Sequence, residues 1–286
     1  MDRRTGWILY DDCDYPINRA FAEHMVGEAR KRDFFLEPVL LSQIVPVMKH
    51  NHPACLRNGQ PVCPGFVLSR QRNSFISAHL EQMGVWVYNN AAVCDICNDK
   101  RKTHRFLQGL PMLNTAFLSG ENVLAPLPEA LPVIVKPASS HGGDRVFWAG
   151  TGQAWHHGAS QILPAPMLQQ EVASDYGRDL RVYVVFGRPV AAVMRTAKEG
   201  FLANYKKGGQ VALHALTPAE EALALQVIGR FDAAGAPLYF AGIDFLYHHG
   251  QPVVSEVEDV VGSRMLYQVS DIDIASLLWD ELARAL

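Results

Sequence analysis

Two apolar runs near the C-terminus, Ala241-Gly242-Ile243-Asp244-Phe245-Leu246 and Val253-Val254-Ser255-Glu256-Val257-Glu258-Asp259, constrain this chain more than any other feature. Between them His248-His249-Gly250-Gln251-Pro252 carries the Gly and Pro that turn a chain back on itself, so the spacing predicts a β-hairpin. Successive side chains on a strand alternate faces, so Glu256 and Glu258 point the same way, and an antiparallel partner brings Asp244 beside them. Three carboxylates on one face repel one another, and burying even one of them is costly unless a cation or donor compensates. A hard divalent ion, Mg²⁺ or Mn²⁺, resolves the conflict because such ions take oxygen ligands and bridge carboxylates to phosphates. The competing reading is a solvated acidic hairpin.

With 286 residues, 49% hydrophobic and 19% charged, the chain can build a large core divided into two or three closely packed subdomains. The net charge is −3 and no Lys/Arg block dominates a segment, which argues against a general binder of nucleic acid or membrane surfaces. No apolar run approaches the roughly 20 residues of a membrane span. The two arginines of Met1-Asp2-Arg3-Arg4-Thr5-Gly6 precede only a short apolar stretch, broken at Asp11-Asp12, so no secretory signal is expected. Five thinly spread cysteines suit a reducing cytoplasm better than a disulfide framework.

In the first ninety residues, Gly6 to Tyr10, Phe34 to Leu41, Phe66 to Leu68 and Val85 to Tyr88 read as strands, with helices over Asn18 to Lys31 and Phe75 to Met83. Alternating strands and helices imply a parallel α/β sheet, and the Asn58-Gly59 turn signal predicts a small hairpin inside it. Ligands of such sheets bind beyond the carboxyl ends of the strands. This sets Asp11, Asp12, Arg70 and Arg72 at a possible substrate edge, unless they are ordinary loop residues.

Cys94-Asp95-Ile96-Cys97, with His50, His52, Cys55 and Cys63 upstream, raises a zinc or redox site. The separation of Cys55 from Cys63 is wider than paired zinc ligands show, and the Cys-x-x-Cys leads into a polar helix start rather than following a thioredoxin-like strand. Neither a bound metal nor a redox role is expected of Cys94 and Cys97; packing at a helix entry is.

Further on, Asn98-Asp99-Lys100-Arg101-Lys102 opens a helix with a capping residue at hand. The strand Leu131 to Pro137 ends in Lys136 and runs into Ser139-Ser140-His141-Gly142-Gly143-Asp144-Arg145. A lysine at a strand end beside a glycine turn suits phosphate, because bare backbone can approach the oxygens and the ammonium neutralises them. Strands over Met167 to Val172, Gly177 to Val185 and Val190 to Arg195 follow, and Arg195, Lys198, Lys206 and Lys207 form a basic cluster opposite the acidic hairpin.

The order Asp99-Lys100, Val135-Lys136-Pro137, a Ser/Gly loop, Gln170-Glu171, Gly177-Arg178-Asp179-Leu180-Arg181, Ala197-Lys198-Glu199-Gly200, Asn204, Gly208-Gly209, Ala241-Gly242-Ile243-Asp244 and Glu256 resembles the ATP-grasp superfamily. Within it the chain is similar to ribosomal-protein-S6 glutamate ligases and lysine-biosynthesis carrier-protein ligases. The resemblance implies an α/β fold, α+β in the C-terminal half. Residues 1–93 would form a parallel α/β pre-ATP-grasp unit, 94–172 a central subdomain with a phosphate-covering loop, and 173–286 a C-terminal subdomain with the metal site. It implies an ATP-dependent carboxylate–amine ligase that works through an acyl phosphate on an amino acid, small peptide or carrier-protein carboxyl, with Mg²⁺ or Mn²⁺, and a homo-oligomer is expected. The alternative is an ATP-binding regulator or scaffold without ligation.

By position, the resemblance makes Lys100 and Lys136 the nucleotide-phosphate lysines. It assigns the covering loop to Ser140, Gly142 and Gly143, and the adenine hinge to Glu171 and Val172. Asp179 becomes a nucleotide contact, Arg195 and Asn204 line the triphosphate end, and Asp244 and Glu256 are metal ligands. Two departures stand out. Glu258 occupies the place of the family's usual Asn metal ligand and is followed by an altered segment to Arg264; Leu202 replaces a phosphate-side arginine. Arg264 is a candidate for holding a substrate carboxylate, as against a plain surface arginine, and Arg70 is a second substrate candidate.

Overall fold

In the computed structural model, which describes residues 3–118, 131–140, 143–198, 200–201 and 209–286, the first apolar runs lie side by side. They form β1 (Thr5–Tyr10), α1 (Tyr15–Arg30), β2 (Phe35–Leu40), β3 (Ile44–Lys49), β4 (His52–Arg57), β5 (Gln60–Val62), β6 (Phe66–Arg70), α2 (Ser74–Gln82) and β7 (Trp86–Tyr88). Four of the strands make a wholly parallel sheet in the order β2-β1-β6-β7. Gly6 is bare because the Phe66 ring lies across it, 2.4 Å from where a Cβ would stand. The expected hairpin is there, turning through Asn58 (φ 52°) and Gly59 (φ 74°), the left-handed pair that a type I′ turn requires. It belongs to a three-stranded antiparallel insert, β3-β4-β5. Helix α1 begins at Tyr15 rather than Asn18, because Pro16 fits the first turn, where its missing N–H costs no bond.

Next come α3 (Ala91–Cys97), capped by Asn90, and α4 (Lys100–Phe106), capped by Asp99. The helix expected from Asn98 is α4, and Cys94 and Cys97 lie on a separate helix before it, α3, which the Asn90 cap starts and Cys97 ends. Burial pushes both thiols up, and Cys97 packs in the core with Val93 and Leu107.

The central unit contains β8 (Thr115–Leu118), β9 (Val133–Pro137), β10 (Phe147–Ala149), α5 (Gly152–Ser160) and β11 (Met167–Glu171). Its antiparallel sheet runs β10-β9-β11-β8. Helix α5 covers one face through Trp155, whose indole N–H donates to Gln169 Oε1 at 2.8 Å, and leaves the other face open.

The C-terminal unit contains β12 (Arg178–Val185), β13 (Arg188–Thr196), β14 (Gln210–Leu213), α6 (Pro218–Ala233), β15 (Phe240–His248), β16 (Gln251–Glu258), α7 (Arg264–Val269) and α8 (Ile274–Ala285). The sheet order is β14-β13-β12-β15-β16, antiparallel throughout. Helix α6 starts from a Thr217/Glu220 capping box and buries Leu223, Val227, Ile228 and Phe231 against Leu180, Val182 and Val184 of β12. The last helix returns to the N-terminal sheet: Leu278, Trp279 and Leu282 of α8 share a core with Ile8, Met25 and Phe66. Among the described residues no helix is long and apolar enough to cross a membrane.

Trp279 is fully buried, with Phe34 and Phe66 at 5.5 and 6.0 Å between ring centroids, so it fastens the C-terminus to the N-terminal sheet. Trp279→Ala removes that filling without a replacement and is expected to cost about 3–5 kcal/mol. Urea denaturation checks this, and a change below about 1 kcal/mol would show that α8 is not part of the N-terminal core.

Candidate active site

Ladder register brings the charged residues of the C-terminal sheet together. Asp179 of β12 stands opposite Arg195 of β13, Arg181 of β12 opposite Asp244 of β15, and Asp244 opposite Glu256 of β16. Ser255 is the extra residue of a bulge in β16. The Arg181 guanidinium forks Asp244, with Nε to Oδ1 at 2.8 Å and Nη2 to Oδ2 at 2.7 Å, and Nη2 also meets Glu258 Oε1 at 2.7 Å. Its arm crosses Gly242, where a Cβ would lie 3.4 Å from Arg181 Cδ and 2.7 Å from a Val261 methyl. Arg195 reaches the same Asp244 Oδ2 at 2.8 Å and pairs with Asp179.

Burial alone would raise the Asp244 carboxyl, but the two guanidiniums overcome it and hold the group well below the usual carboxylate range. Asp179 shows the opposite balance: burial pushes it up to about 6 against the pull of Arg195. The hairpin is therefore not a solvated acidic surface. One oxygen or more from each of Asp244, Glu256 and Glu258 falls within 4.8 Å of the others, a spacing and donor set that suit a hard divalent cation.

Two lysines face this cluster. Lys100, the first residue of α4, is fixed by its backbone N–H to Ala138 O at 2.9 Å, while its ammonium donates to Ser140 O at 2.7 Å and pairs with Glu256 at 3.2 Å. Ser140 thus takes part through its carbonyl. Lys136, at the end of β9, is buried and donates to Gln170 Oε1 at 2.8 Å. Burial pulls its ammonium down to about 8, with Glu256 opposing the shift and Lys100 adding to it. Behind them His104 is held neutral by burial at about 4, and its Nε2 has no partner.

These groups line a cleft of about 320 Å³ among the three units. Every residue given a nucleotide, metal or substrate-carboxylate role that the structure describes borders it: Lys100, Lys136, Ser140, Gly143, Glu171, Val172, Asp179, Arg195, Asp244, Glu256, Glu258, Arg264 and Arg70. Of the four residues expected at the substrate edge, Arg70 and Arg72 line it and Asp11 and Asp12 do not. Gly142 and Asn204, like Leu202, Lys206 and Lys207, lie outside the described residues. One end of the cleft is apolar, with Leu113, Ile134, Val172 and Leu246 near Trp148, whose ring meets Tyr176 and Phe201 at 5.4 Å. There Glu171 is tied to Asn114, whose Nδ2 donates to its Oε2 at 2.9 Å. The other end holds Asn18, Arg70, Arg72 and Arg264.

Asp12 does not reach the cleft; it accepts the Ser42 backbone N–H at 3.1 Å, because the turn after β2 needs a cap. Arg70 donates to Val261 O at 2.6 Å, and its guanidinium lies against the stacked pair of Phe21 and Phe240, 5.4 and 5.2 Å from the ring centroids. Arg181 has no role in the sequence analysis, although Asp179 and Arg181, two residues apart where the strand turns apolar, are a signal. Asp259, pushed up to about 7 by burial and held by Asn98 Nδ2 at 3.0 Å, was also missed.

A family model described as a RimK-like ATP-grasp domain matches residues 97–282. The chain belongs to that family. It is a RimK-like ATP-grasp protein and, with it, an ATP-dependent carboxylate–amine ligase. A probable alpha-L-glutamate ligase of Sodalis glossinidius is 32% identical over 207 residues, covering 69% of this chain and 68% of the relative. Among solved structures, D-cycloserine synthetase DcsG superposes with a TM-score of 0.73 at 16% identity, covering 98% of this chain and 99% of that one. The D-alanine–D-alanine ligase of Bacillus anthracis complexed with ATP gives 0.72 at 14% identity, covering 98% of each chain. Both share the ATP-grasp fold.

The lowered Lys136 pKa sets a pH dependence. Below about 8 the group is an ammonium that attracts phosphate; above it the charge, and with it nucleotide affinity, is lost. ATP binding by the free protein is therefore expected to weaken as pH rises from about 7 to about 9, whereas Lys136→Arg, always charged, should flatten the curve. Calorimetric titrations at several pH values check this; equal slopes for the two proteins would contradict it.

Proposed function

We propose that this ligase phosphorylates a substrate carboxylate with ATP and passes the acyl group to an amine, with the triphosphate lying between Lys100, Lys136 and the Asp244–Glu256–Glu258 cluster. The observation that carries the reading is the convergence of two nearly buried lysines and three carboxylates on one cleft with an apolar end. The apolar end suits a purine, with Glu171 and Val172 at the hinge. Ser140, Gly142 and Gly143 belong to the loop over the phosphates, and Asn204 and Asp179 complete the nucleotide set.

Asp244, Glu256 and Glu258 would hold Mg²⁺ or Mn²⁺, which supplies charge neutralisation for the phosphates when bound. A carboxylate does not acylate an amine at neutral pH because oxide is a poor leaving group. Attack of a carboxylate oxygen on the γ-phosphorus breaks the bond to the β-phosphate oxygen and releases ADP. The amine then attacks the acyl carbon, phosphate leaves with the C–O electrons, and the amine loses a proton. Lys136 and Arg195 spread the charge that moves toward the leaving oxygens, which phosphoryl transfer needs more than covalent help. Arg264, exposed at the cleft mouth, and Arg70 serve the substrate end, where a guanidinium matches a carboxylate.

The relative named a probable alpha-L-glutamate ligase makes glutamate the first amine to test, with peptide carboxyls as the acyl donors. Five free thiols and the use of ATP favour the cytoplasm. The reading as a regulator without ligation fits less well, because the lysines and the carboxylates are all present.

The test is ADP release across amino acids and short peptides with Mg²⁺. Wild-type protein should release ADP only with an acceptable acid–amine pair. Glu256→Ala should lower turnover by at least about a hundredfold, whereas Glu258→Asn, which replaces a charged oxygen donor by a neutral one, should stay within about tenfold of wild type and need more Mg²⁺. Full activity of Glu256→Ala would sink the metal assignment. If Glu258→Asn changes only which amine is accepted, Glu258 faces the substrate instead.

A further inference from the structure

Lys136 does not choose its own direction. Its ammonium donates to Gln170 Oε1 at 2.8 Å, and Gln170 is 2% exposed, so this contact is made away from solvent. Gln170 in turn donates from Nε2 to Thr115 Oγ1 at 3.1 Å, and the Thr115 hydroxyl donates to Leu113 O at 3.0 Å. A hydroxyl has one proton. Because that proton goes to the Leu113 carbonyl, Oγ1 can only accept from Gln170, and the amide must turn its N–H₂ toward Thr115 and its oxygen toward the lysine.

The three strands make this arrangement. Gln170 of β11 stands directly opposite Thr115 of β8 on one side and Ile134 of β9 on the other, with Lys136 two residues along on the same face. This face of the sheet borders the cleft, through Ile134, Lys136, Trp148 and Gln170. The next residues repeat the tie, since Glu171 N–H donates to Asn114 O at 2.8 Å and Glu171 Oε2 accepts from Asn114 Nδ2. The segment Leu113 to Thr115 therefore holds both the apolar end of the cleft and the lysine at its polar end.

We propose that Gln170 is the positioning residue of Lys136, and that Thr115 fixes the amide so that its oxygen, not its nitrogen, meets the ammonium. The inference rests on reading Lys136 as a phosphate-binding lysine and says why its partner is an amide. A neutral acceptor holds an ammonium in place without cancelling its charge. A glutamate there would neutralise the lysine and repel the phosphates, and a reversed amide would turn donors toward a donor.

The test compares ATP with adenosine, which shares the base but offers no phosphate. Calorimetric titrations with each, in the presence of Mg²⁺, are made on wild type, Gln170→Glu, Gln170→Met, Thr115→Val, Thr115→Ser and Lys136→Met, with thermal melting as a check on folding. Gln170→Glu is expected to weaken ATP at least about tenfold while adenosine stays within about twofold. Thr115→Val, nearly isosteric and uncharged, should weaken ATP severalfold with the same indifference to adenosine, and Thr115→Ser should restore it.

Loss of ATP and adenosine together would make Gln170 and Thr115 merely structural and overturn the proposal. If Lys136→Met weakens ATP while the Gln170 and Thr115 variants do not, the proposal falls and the phosphate reading stands. If Lys136→Met itself leaves ATP untouched, the phosphate reading fails and takes the proposal with it.

Discussion

The buried Asp244 carboxylate, forked by Arg181 and touched again by Arg195, is the contact on which the site depends. An ionised carboxylate out of water is costly unless cations and donors surround it, and here two guanidiniums do. The C-terminal sheet meets this by setting opposite signs across three strands, Arg195 against Asp179 and Arg181 against Asp244, with Glu256 and Glu258 on the edge strand beyond. From Leu180 to Val184 the opposite face of β12 is apolar and packs on α6. One strand thus serves core and site with a period of two, and a register slip by one residue would bury its charges and expose its core.

Three units meet at this surface, and long-range packing holds them there. Helix α8 returns from the C-terminus to the N-terminal sheet, α4 sets Lys100 against Glu256, and β9 and β11 present Lys136 from the central sheet. Each unit contributes cations or carboxylates to a cleft that none could form alone. The arrangement fits the chemistry: phosphoryl transfer requires charges brought to one place more than a reactive side chain.

The C-terminal hairpin and the parallel N-terminal sheet were legible because strand alternation and glycine-bearing turns are local signals, and the motif order carried the rest of the site. Strands β8 and β10 were not, since four and three residues are too few to show a period. Helices α6 and α8 do carry local start signals, the capping signature Thr217-Pro218-Ala219-Glu220 and the Asp273 cap. That α8 covers the N-terminal sheet is a pairing across the whole chain that no local pattern encodes. The same holds for Arg181: its sequence neighbours announce a strand, and only the register opposite Asp244 and its reach to Glu258 give the guanidinium its place.

Because Arg181 and Arg195 already neutralise Asp244, and Lys100 pairs with Glu256, the carboxylate cluster should be a weak ligand for a divalent ion until phosphate oxygens share the coordination. Electron paramagnetic resonance of Mn²⁺, titrated into the protein with and without ADP and into Glu256→Gln, measures this directly. The account predicts about one Mn²⁺ per chain with ADP present, at least about tenfold weaker binding without it, and loss of the ADP effect in Glu256→Gln. Equally tight Mn²⁺ binding with and without nucleotide, or binding indifferent to Glu256, would contradict it.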